Sequence, residues 1–426
     1  MAILKEFKQF IDHAHVNFFA IQEAEKMLID AGYTRVFEEN IDENIPNKIY
    51  FKRMDLSLIA LNLGEDAKEN NYPFNIIASH VDSPCFKVKP HLESSNSNYH
   101  KIDVEPYGGM IASSWFDRLL SIAGRVTYKK DSQIASSLID FDEDLCLIPN
   151  VAIHLNREIN EGYKYNFATD TQPFTFEMKE SLLSKIANKL NIKEEDILSH
   201  DLYLYNRDQL KEWGEFITSP RLDDLECVFT SLKAFLEINN KKVINVLYLA
   251  NNEEVGSSSS TGADSDYLES ILTLLSKKLD FSLEASLANS FLVSADNAHA
   301  VHPNHGELSD PVDAPKMNQG IVIKYSASNR YTSDGLSSSI FMELLKRSGI
   351  SYQIYTNRSD IRGGSTLGNI LLSHVSLLSV DVGLAQLAMH SANETAGKKD
   401  IENAIESFKA FYQSHIKKDK DNYVIE

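Results

Sequence analysis

Three short apolar runs in this chain, N-I-I-A-S at 75–79, V-L-Y-L-A at 246–250 and F-L-V-S-A at 291–295, each end directly in groups able to hold a cation. These are H-V-D at 80–82, N-N-E-E at 251–254 and D-N-A-H at 296–299. Runs this short and this apolar read as strands buried on both faces, the pattern of parallel or mixed sheets. Further runs at 320–325, 351–355 and 375–382 follow, and after residue 218 they alternate with helical patterns such as Glu226 to Ile238. The alternation predicts an α/β fold, a mixed β-sheet flanked by helices. In open sheets of this kind sites form beyond the carboxyl ends of the strands, and His80, Asp82, Glu253, Glu254 and Asp296 all stand there.

Elsewhere the texture changes. Apolar residues recur at helical spacing from Lys5 to Ala31 and stop at Gly32, which predicts one long amphipathic helix, followed by a hairpin-like stretch. The middle of the chain carries G-G at 108–109, polar turn clusters, strand-like pieces such as V-A-I-H-L at 151–155, and a helical patch from Phe176 to Leu190. It reads as a β-rich domain at 91–217 inserted into a catalytic domain made of 1–90 and 218–426. The tract Ser257 to Ser260 follows a candidate site directly and is expected to form a mobile loop.

With 426 residues, 43% of them hydrophobic, the chain can bury a large core in two domains. Asp and Glu outnumber Lys and Arg by 61 to 42, and no basic run counters that balance, so neither nucleic acid nor an anionic membrane surface is an expected partner. Cys85, Cys146 and Cys227 are too few and too scattered for a disulfide framework or a C-x-x-C zinc clip. The N-terminal M-A-I-L-K-E-F-K-Q-F-I-D lacks the pattern of a secretory leader, and no apolar run approaches the roughly 18 residues of a membrane span. A reducing, cytoplasmic setting is expected.

The chemistry follows from spacing. Residues two apart in an extended segment point the same way, so His80 and Asp82 project together. Adjacent side chains on a strand oppose each other, so a useful Glu253–Glu254 pair requires the chain to leave the strand, which Gly256 permits. One carboxylate of the pair can then hold metal while its neighbour stays free as a base. R-L-D-D at 221–224 opens a helix after S-P, where Asp223 and Asp224 suit an N-terminal cap as well as a metal. In S-A-D-N-A-H-A-V-H-P-N-H at 294–305, His299, His302 and His305 imitate a zinc cluster. The residue before Pro303 favours extended backbone, however, so nothing assures them a shared helical face; Asp296 is the candidate and the three histidines read as mostly structural. His390, in A-M-H-S, stands before the last helix. Each segment alone also fits a solvated turn, a cap or a surface histidine. Together they make the ligand set of a two-metal hydrolase with a carboxylate to spare, a chemistry shared by peptidases, amide deacylases and some phosphatases.

These segments, joined by W-F-D-R-L-L-S-I-A-G-R-V at 115–126 and G-S-T-L-G at 364–368, resemble the aspartyl aminopeptidase and aminopeptidase I family of dinuclear zinc exopeptidases over nearly the whole chain. The resemblance implies His80, Asp223, Glu254, Asp296 and His390 as metal ligands, Asp223 bridging, Glu253 as general base and Asp82 in support of His80. It implies two Zn2+ per subunit, replaceable by Mn2+ or Co2+, and removal of the N-terminal residue from peptides by a water that the metals activate. Lys324, in G-I-V-I-K-Y, and Arg362, beside G-G-S-T at 363–366, would meet the substrate, Lys324 favouring an acidic N-terminal residue. The insert would serve dimerisation, with dimers assembling into a twelve-subunit shell and His154 reaching the neighbouring subunit's site. Strand alternation would place His154 on one face with Ala152 and Asn156, and Val151, Ile153 and Leu155 toward the insert core. The chain departs from the family pattern at Asp224, where Asn is usual, at Asn369, where Pro is usual, and in A-H-V-N-F-F-A at 14–20. A zinc carboxypeptidase or amide deacylase, and a non-catalytic oligomeric shell, are the alternatives; retention of Glu253 speaks against the shell.

Overall fold

The structure, a computed structural model, describes all residues except 1, 40, 42–44, 95–98 and 176–179. A nine-stranded mixed sheet runs in the order Thr34–Arg35, Lys48–Arg53, Ser57–Leu63, Ile244–Ala250, Phe74–His80, Phe291–Ala295, Leu378–Gly383, Ile321–Tyr325, Tyr352–Thr356. Its four middle strands, from Ile244–Ala250 to Leu378–Gly383, are mutually parallel, so their carboxyl ends lie along one edge.

Every residue of Phe74–His80, Ile244–Ala250 and Phe291–Ala295 is buried, because apolar helices cover both faces. Ile77, Leu247, Leu249 and Val293 share a core with helices Ala2–His13, Asn17–Asp30, Leu222–Leu236, Gly335–Arg347 and Lys398–Gln413. Their neighbours Ile76, Ala78, Val246 and Tyr248 join Tyr267–Leu279 and Leu367–Leu371 on the other side. Each fully buried Ile, Leu or Val among them stabilises the fold by about 1.5–3 kcal/mol relative to exposure. Shifting any one strand by a single residue would exchange two well-packed faces, so the register that brings His80, Glu253 and Asp296 level is strongly held.

A second, antiparallel sheet takes its seven strands from Cys85 to Asn206. Strand Leu119–Lys130 pairs along Ile197–Asn206, so six of the strands close into a ring around Phe86, Trp115, Ile122, Leu202 and Leu204. Gly124 allows the closing pair to approach, since a Cβ there would stand 2.0 Å from the Asp201 carbonyl oxygen. A third sheet, of five short strands, joins Phe216–Ser219 to Glu394–Gly397 and through Ala385–Leu387 to Ala298–His299.

Three local expectations change. The N-terminal helix is two, Ala2–His13 and Asn17–Asp30, because His15 leaves the helical path to meet Asp140 at 2.6 Å and to stack on Tyr205. V-A-I-H-L is a turn, with the Leu155 N–H donating to the Ala152 carbonyl at 2.8 Å. Its Val151, Ile153 and Leu155 are exposed at 54%, 48% and 83%, so they do not face the ring core. Period-two alternation cannot tell a strand from a turn whose apolar side has nothing beneath it in the same chain. The helix expected from Phe176 is observed as Leu182–Leu190, capped by Ser181; residues 176–179 of that expectation lie outside the described residues. The Ser257–Ser260 tract is knitted to the preceding turn, the Ser257 N–H donating to Asn252 at 2.7 Å and the Ser259 hydroxyl to the Asn252 side chain at 2.8 Å. Among the described residues no helix is long and apolar enough to cross a membrane.

Candidate active site

Two imidazoles face the same carboxylate from opposite sides. His80 ends its strand, and its Nδ1 lies 3.0 Å from the main-chain oxygen of Asp82. That contact makes Nδ1 the donor and turns Nε2 toward Asp223 Oδ1 at 3.6 Å and Glu253 Oε2 at 4.0 Å. His390 repeats the arrangement: Nδ1 meets the Gly109 carbonyl oxygen at 2.7 Å, and Nε2 faces Asp223 Oδ2 at 3.4 Å and Glu254 Oε2 at 3.5 Å. A neutral imidazole would then aim a lone pair at carboxylates, which is repulsive unless a proton or a cation lies between.

Local backbone explains how these groups converge. The chain leaves strand Ile244–Ala250 through Asn252 at φ 61° and a single 3-10 turn, which puts Glu253 and Glu254 side by side. The Asp82 carboxylate holds that turn, accepting the N–H groups of Glu253 at 3.1 Å and Glu254 at 3.2 Å and the Tyr107 hydroxyl at 2.7 Å. Its carboxylate is 3.6 Å from His80 Nδ1, so the nearer contact with the imidazole is through the main chain. Asp223 and Asp224 fall within helix Leu222–Leu236 but have non-helical backbone, and neither caps it. Asp223 turns to the imidazoles, while Asp224 accepts the His80 N–H at 3.2 Å. Asp296 follows strand Phe291–Ala295 directly.

The donor atoms form three overlapping groups, each within 4.8 Å: His80, Asp223 and Asp296; His80, Glu253 and Glu254; and Asp223, Glu254 and His390. Asp223 Oδ1 and Glu254 Oε1 are buried without a hydrogen-bond partner. Burial works against the charges on His80 and His390, yet the neighbouring carboxylates outweigh it and raise both, His390 to about 10. Burial would raise Asp223 too, but the His390 and His80 imidazoles that face it hold it below the usual carboxylate range. Glu253 moves the other way: burial lifts it to about 8, against the pull of His80 and with Asp296, Asp82 and Asp223 adding to it. So much buried like charge around orphaned oxygens and fixed imidazole nitrogens suits divalent cations, and the nitrogen and oxygen donors suit zinc.

Over residues 10–412 the sequence matches the family described as aminopeptidase I zinc metalloprotease (M18). The chain belongs to the M18 family of zinc aminopeptidases. A probable M18 family aminopeptidase 2 from Clostridium acetobutylicum is 41% identical, covering 96% of this chain and 98% of the relative. One of the same description from Ectopseudomonas mendocina is 36% identical, covering 95% and 96%. Among solved structures, that of the Ape4 and Nbr1 complex superposes with a TM-score of 0.92 at 30% identity, over 97% of this chain and 85% of that one. The S. cerevisiae mApe1 dodecamer superposes with a TM-score of 0.83 at 26% identity, over 96% of each chain.

In this M18 aminopeptidase a cavity opens beside the donor cluster, walled by His80, Asp223, Glu253, Asp296, Lys324, Tyr331, Tyr355, residues 364–366 and His390. Lys324 is buried; its ammonium donates to the Asp296 carbonyl at 2.7 Å, lies 4.0 Å from the Asp296 carboxylate and stands 5.2 Å over the Tyr331 ring. His299 also lines the cavity, whereas His302 and His305 are exposed outside it. Arg362 is exposed and does not line the cavity, and His154 sits on its exposed turn, also outside the cavity wall.

Besides Tyr331 and Tyr355 in the cavity wall, two residues that hold the donor groups of this M18 site escaped the sequence reading. Glu394, buried on strand Glu394–Gly397, accepts the His390 N–H at 2.7 Å and the Asp223 N–H at 3.0 Å, tying together two ligand candidates far apart in the chain. Tyr107 comes from the antiparallel ring to reach Asp82. Glu394 lies four residues after His390, which is a faint local signal; nothing local marks Tyr107.

Proposed function

We propose that this M18 aminopeptidase works with two zinc ions, one held by His80, Asp223 and Asp296 and the other by His390, Glu254 and Asp223. The carrying observation is that Asp223 alone among the carboxylates belongs to both of those donor groups, with one oxygen turned to each imidazole. Asp224, whose carboxylate accepts the His80 N–H, is not in either. When bound, zinc supplies Lewis acidity that makes a water nucleophilic near neutral pH and polarises the scissile carbonyl.

The chain's own groups do the rest. Asp82 fixes the turn that aims Glu253 into the cavity. Glu253 takes the proton of the attacking water and returns it to the departing amine, as a general base and then acid. Lys324 and the aromatic wall receive the N-terminal side chain. An acidic side chain is favoured, because the Lys324 ammonium, though near the Asp296 and Asp381 carboxylates, has no ion pair closer than 4.0 Å among the described residues. Mn2+ or Co2+ serves in place of zinc.

The segment 91–217 acts as the dimerisation domain, and dimers build a dodecamer of the kind solved for mApe1. Exposed Val151, Ile153 and Leu155 then gain an apolar partner in a neighbouring copy, and His154 between them is delivered to the neighbour's cavity. The three free cysteines, two of them buried, suit a reducing cytoplasm. Glu253→Gln tests the central reading: it keeps zinc and fold and lowers turnover by about 10²–10⁴-fold. Near-normal turnover at full zinc content removes Glu253 from the mechanism.

A further inference from the structure

Part of the cavity wall is made of two loops that follow the paired parallel strands Ile321–Tyr325 and Tyr352–Thr356. One, 326–334, links strand Ile321–Tyr325 to helix Gly335–Arg347 and contributes Tyr331; the other, 357–366, links strand Tyr352–Thr356 to helix Leu367–Leu371 and contributes Gly364, Ser365 and Thr366. Both are bound to a single side chain beneath them, Asp381 of strand Leu378–Gly383, which is fully buried. Asp381 Oδ1 accepts the Thr366 hydroxyl at 2.6 Å, and Oδ2 accepts the Thr332 hydroxyl at 2.9 Å and the Thr332 N–H at 2.5 Å. The Asp381 N–H in turn donates to the Ser333 hydroxyl at 2.9 Å.

Two further details show that the local sequence gives way to this link. Thr366 occupies the N-cap position of helix Leu367–Leu371, where a threonine hydroxyl ordinarily accepts an N–H of the first turn; here it makes no cap bond and donates to Asp381. Gly368 carries no Cβ where one would stand 2.6 Å from the Ser294 side chain and 3.1 Å from that of Thr332, so the second loop's helix is seated against the first loop. Asp381 also lies opposite Lys324 in the antiparallel pairing, which places the clamp directly under the cavity floor.

We propose that Asp381 is a positioning residue for substrate specificity: through Thr332 and Thr366 it fixes the separation of the two loops that grip the N-terminal side chain, without touching substrate or the metal-binding groups. The proposal rests on the reading of this cavity as the subsite for that side chain. A carboxylate is required because it accepts from both loops at once. In Asp381→Asn the amide oxygen can keep the two Thr332 bonds, while the amide nitrogen faces the Thr366 hydroxyl, which must turn from donor to acceptor, so the charge-assisted link to the second loop is lost and its hold weakens.

The test measures kcat and KM separately on aminoacyl p-nitroanilides bearing acidic, small and large apolar residues, together with zinc content, for Asp381→Asn, Thr366→Val and Thr366→Ser. Expected are a KM raised about tenfold for Asp381→Asn and Thr366→Val with kcat within about threefold and zinc content unchanged, the pattern of lost uniform binding. Thr366→Ser, which restores the hydroxyl, should return KM to within about twofold of the parent. An unchanged KM in either folded variant overturns the proposal, as does a fall in kcat that tracks zinc loss at constant KM. Should Asp381→Asn not fold, the Thr366 pair decides alone. Tyr355→Ala in the cavity wall separates the two readings: if it leaves the residue profile unaltered the subsite itself is misplaced, whereas an altered profile with silent Asp381 and Thr366 variants sinks only the clamp.

Discussion

Replacing Glu394 by Gln should weaken zinc binding while leaving the metal-free protein folded, at a modest cost in stability. Glu394 uses both carboxylate oxygens, one on the His390 N–H at 2.7 Å and one on the Asp223 N–H at 3.0 Å. In the metal-free protein burial, reinforced by Asp223, lifts its pKa to about 8, so near pH 7 it is largely a neutral acid. Gln keeps the shape of that neutral form but only one acceptor, so the metal-free variant should stay folded and melt a few degrees (~2–6 °C) below the parent. Bringing cations to Asp223 and His390 favours the ionised form of Glu394, whose two N–H bonds then become charge-assisted. In Glu394→Gln one of them confronts an amide NH2 instead, an uncompensated buried donor costing about 1–3 kcal/mol. Loss of such outer partners typically weakens metal affinity about 10–100-fold, equivalent to about 1.4–2.8 kcal/mol at about 1.4 kcal/mol per tenfold. Chelator competition at fixed pH reads the affinity, and calorimetric melting of the metal-free protein reads the fold. Zinc affinity within about twofold of the parent, or a metal-free protein that has lost its cooperative transition, would refute this account of Glu394.

Gly108 adopts φ +76°, and a Cβ there would lie 3.1 Å from the Glu254 Cβ, so Gly108→Ala should cost about 1–2 kcal/mol through the backbone alone and also lower zinc content; parent-like melting and metal analysis would count against the close approach. Zinc loading near pH 7 should release protons, because His390 and Glu253 hold theirs to about 10 and about 8 in the metal-free protein. Apparent zinc affinity therefore rises with pH through that range, and titration heats that do not change with the buffer's ionisation enthalpy would contradict it. Mixed oligomers of Glu253→Gln and His154→Ala chains should regain part of the activity each lacks, since one site then has an intact Glu253 and the partner's intact histidine; no recovery in verified mixtures means each subunit completes its own site. Below the ordinary carboxylate pKa the ring should loosen: burial would raise Asp201, but Arg125 and Lys87 depress it, so the stability it confers is present above pH ~3.9 and lost as acid reaches its lowered folded value. Asp201→Asn should flatten that acid limb, as followed by near-ultraviolet circular dichroism.

Much of the catalytic half was legible in one dimension. Buried strands announce themselves as apolar runs, and the groups that end them must emerge at the same edge of a parallel sheet, so His80, Glu253, Glu254 and Asp296 could be brought together without a structure. What periodicity cannot supply is a partner distant in sequence. It joined Ala2–His13 to Asn17–Asp30 because it could not see Asp140 drawing His15 aside. It made a strand of V-A-I-H-L because it assumed that the apolar side had a core within the chain to face. Asp223 and Asp224 were locally equivalent; only the fold turned one to both imidazoles and the other to the His80 backbone. Glu394, Tyr107 and Asp381 act through hydrogen bonds to residues as many as 171 positions away, where spacing carries no information. The donor types and the edge on which they stand follow from sequence, because strand burial and alternation are local rules. Which donors share a cation, which backbone carbonyls set the imidazoles, and what holds the cavity open are decided by tertiary structure, because each depends on a contact between segments that only packing brings within a few ångströms.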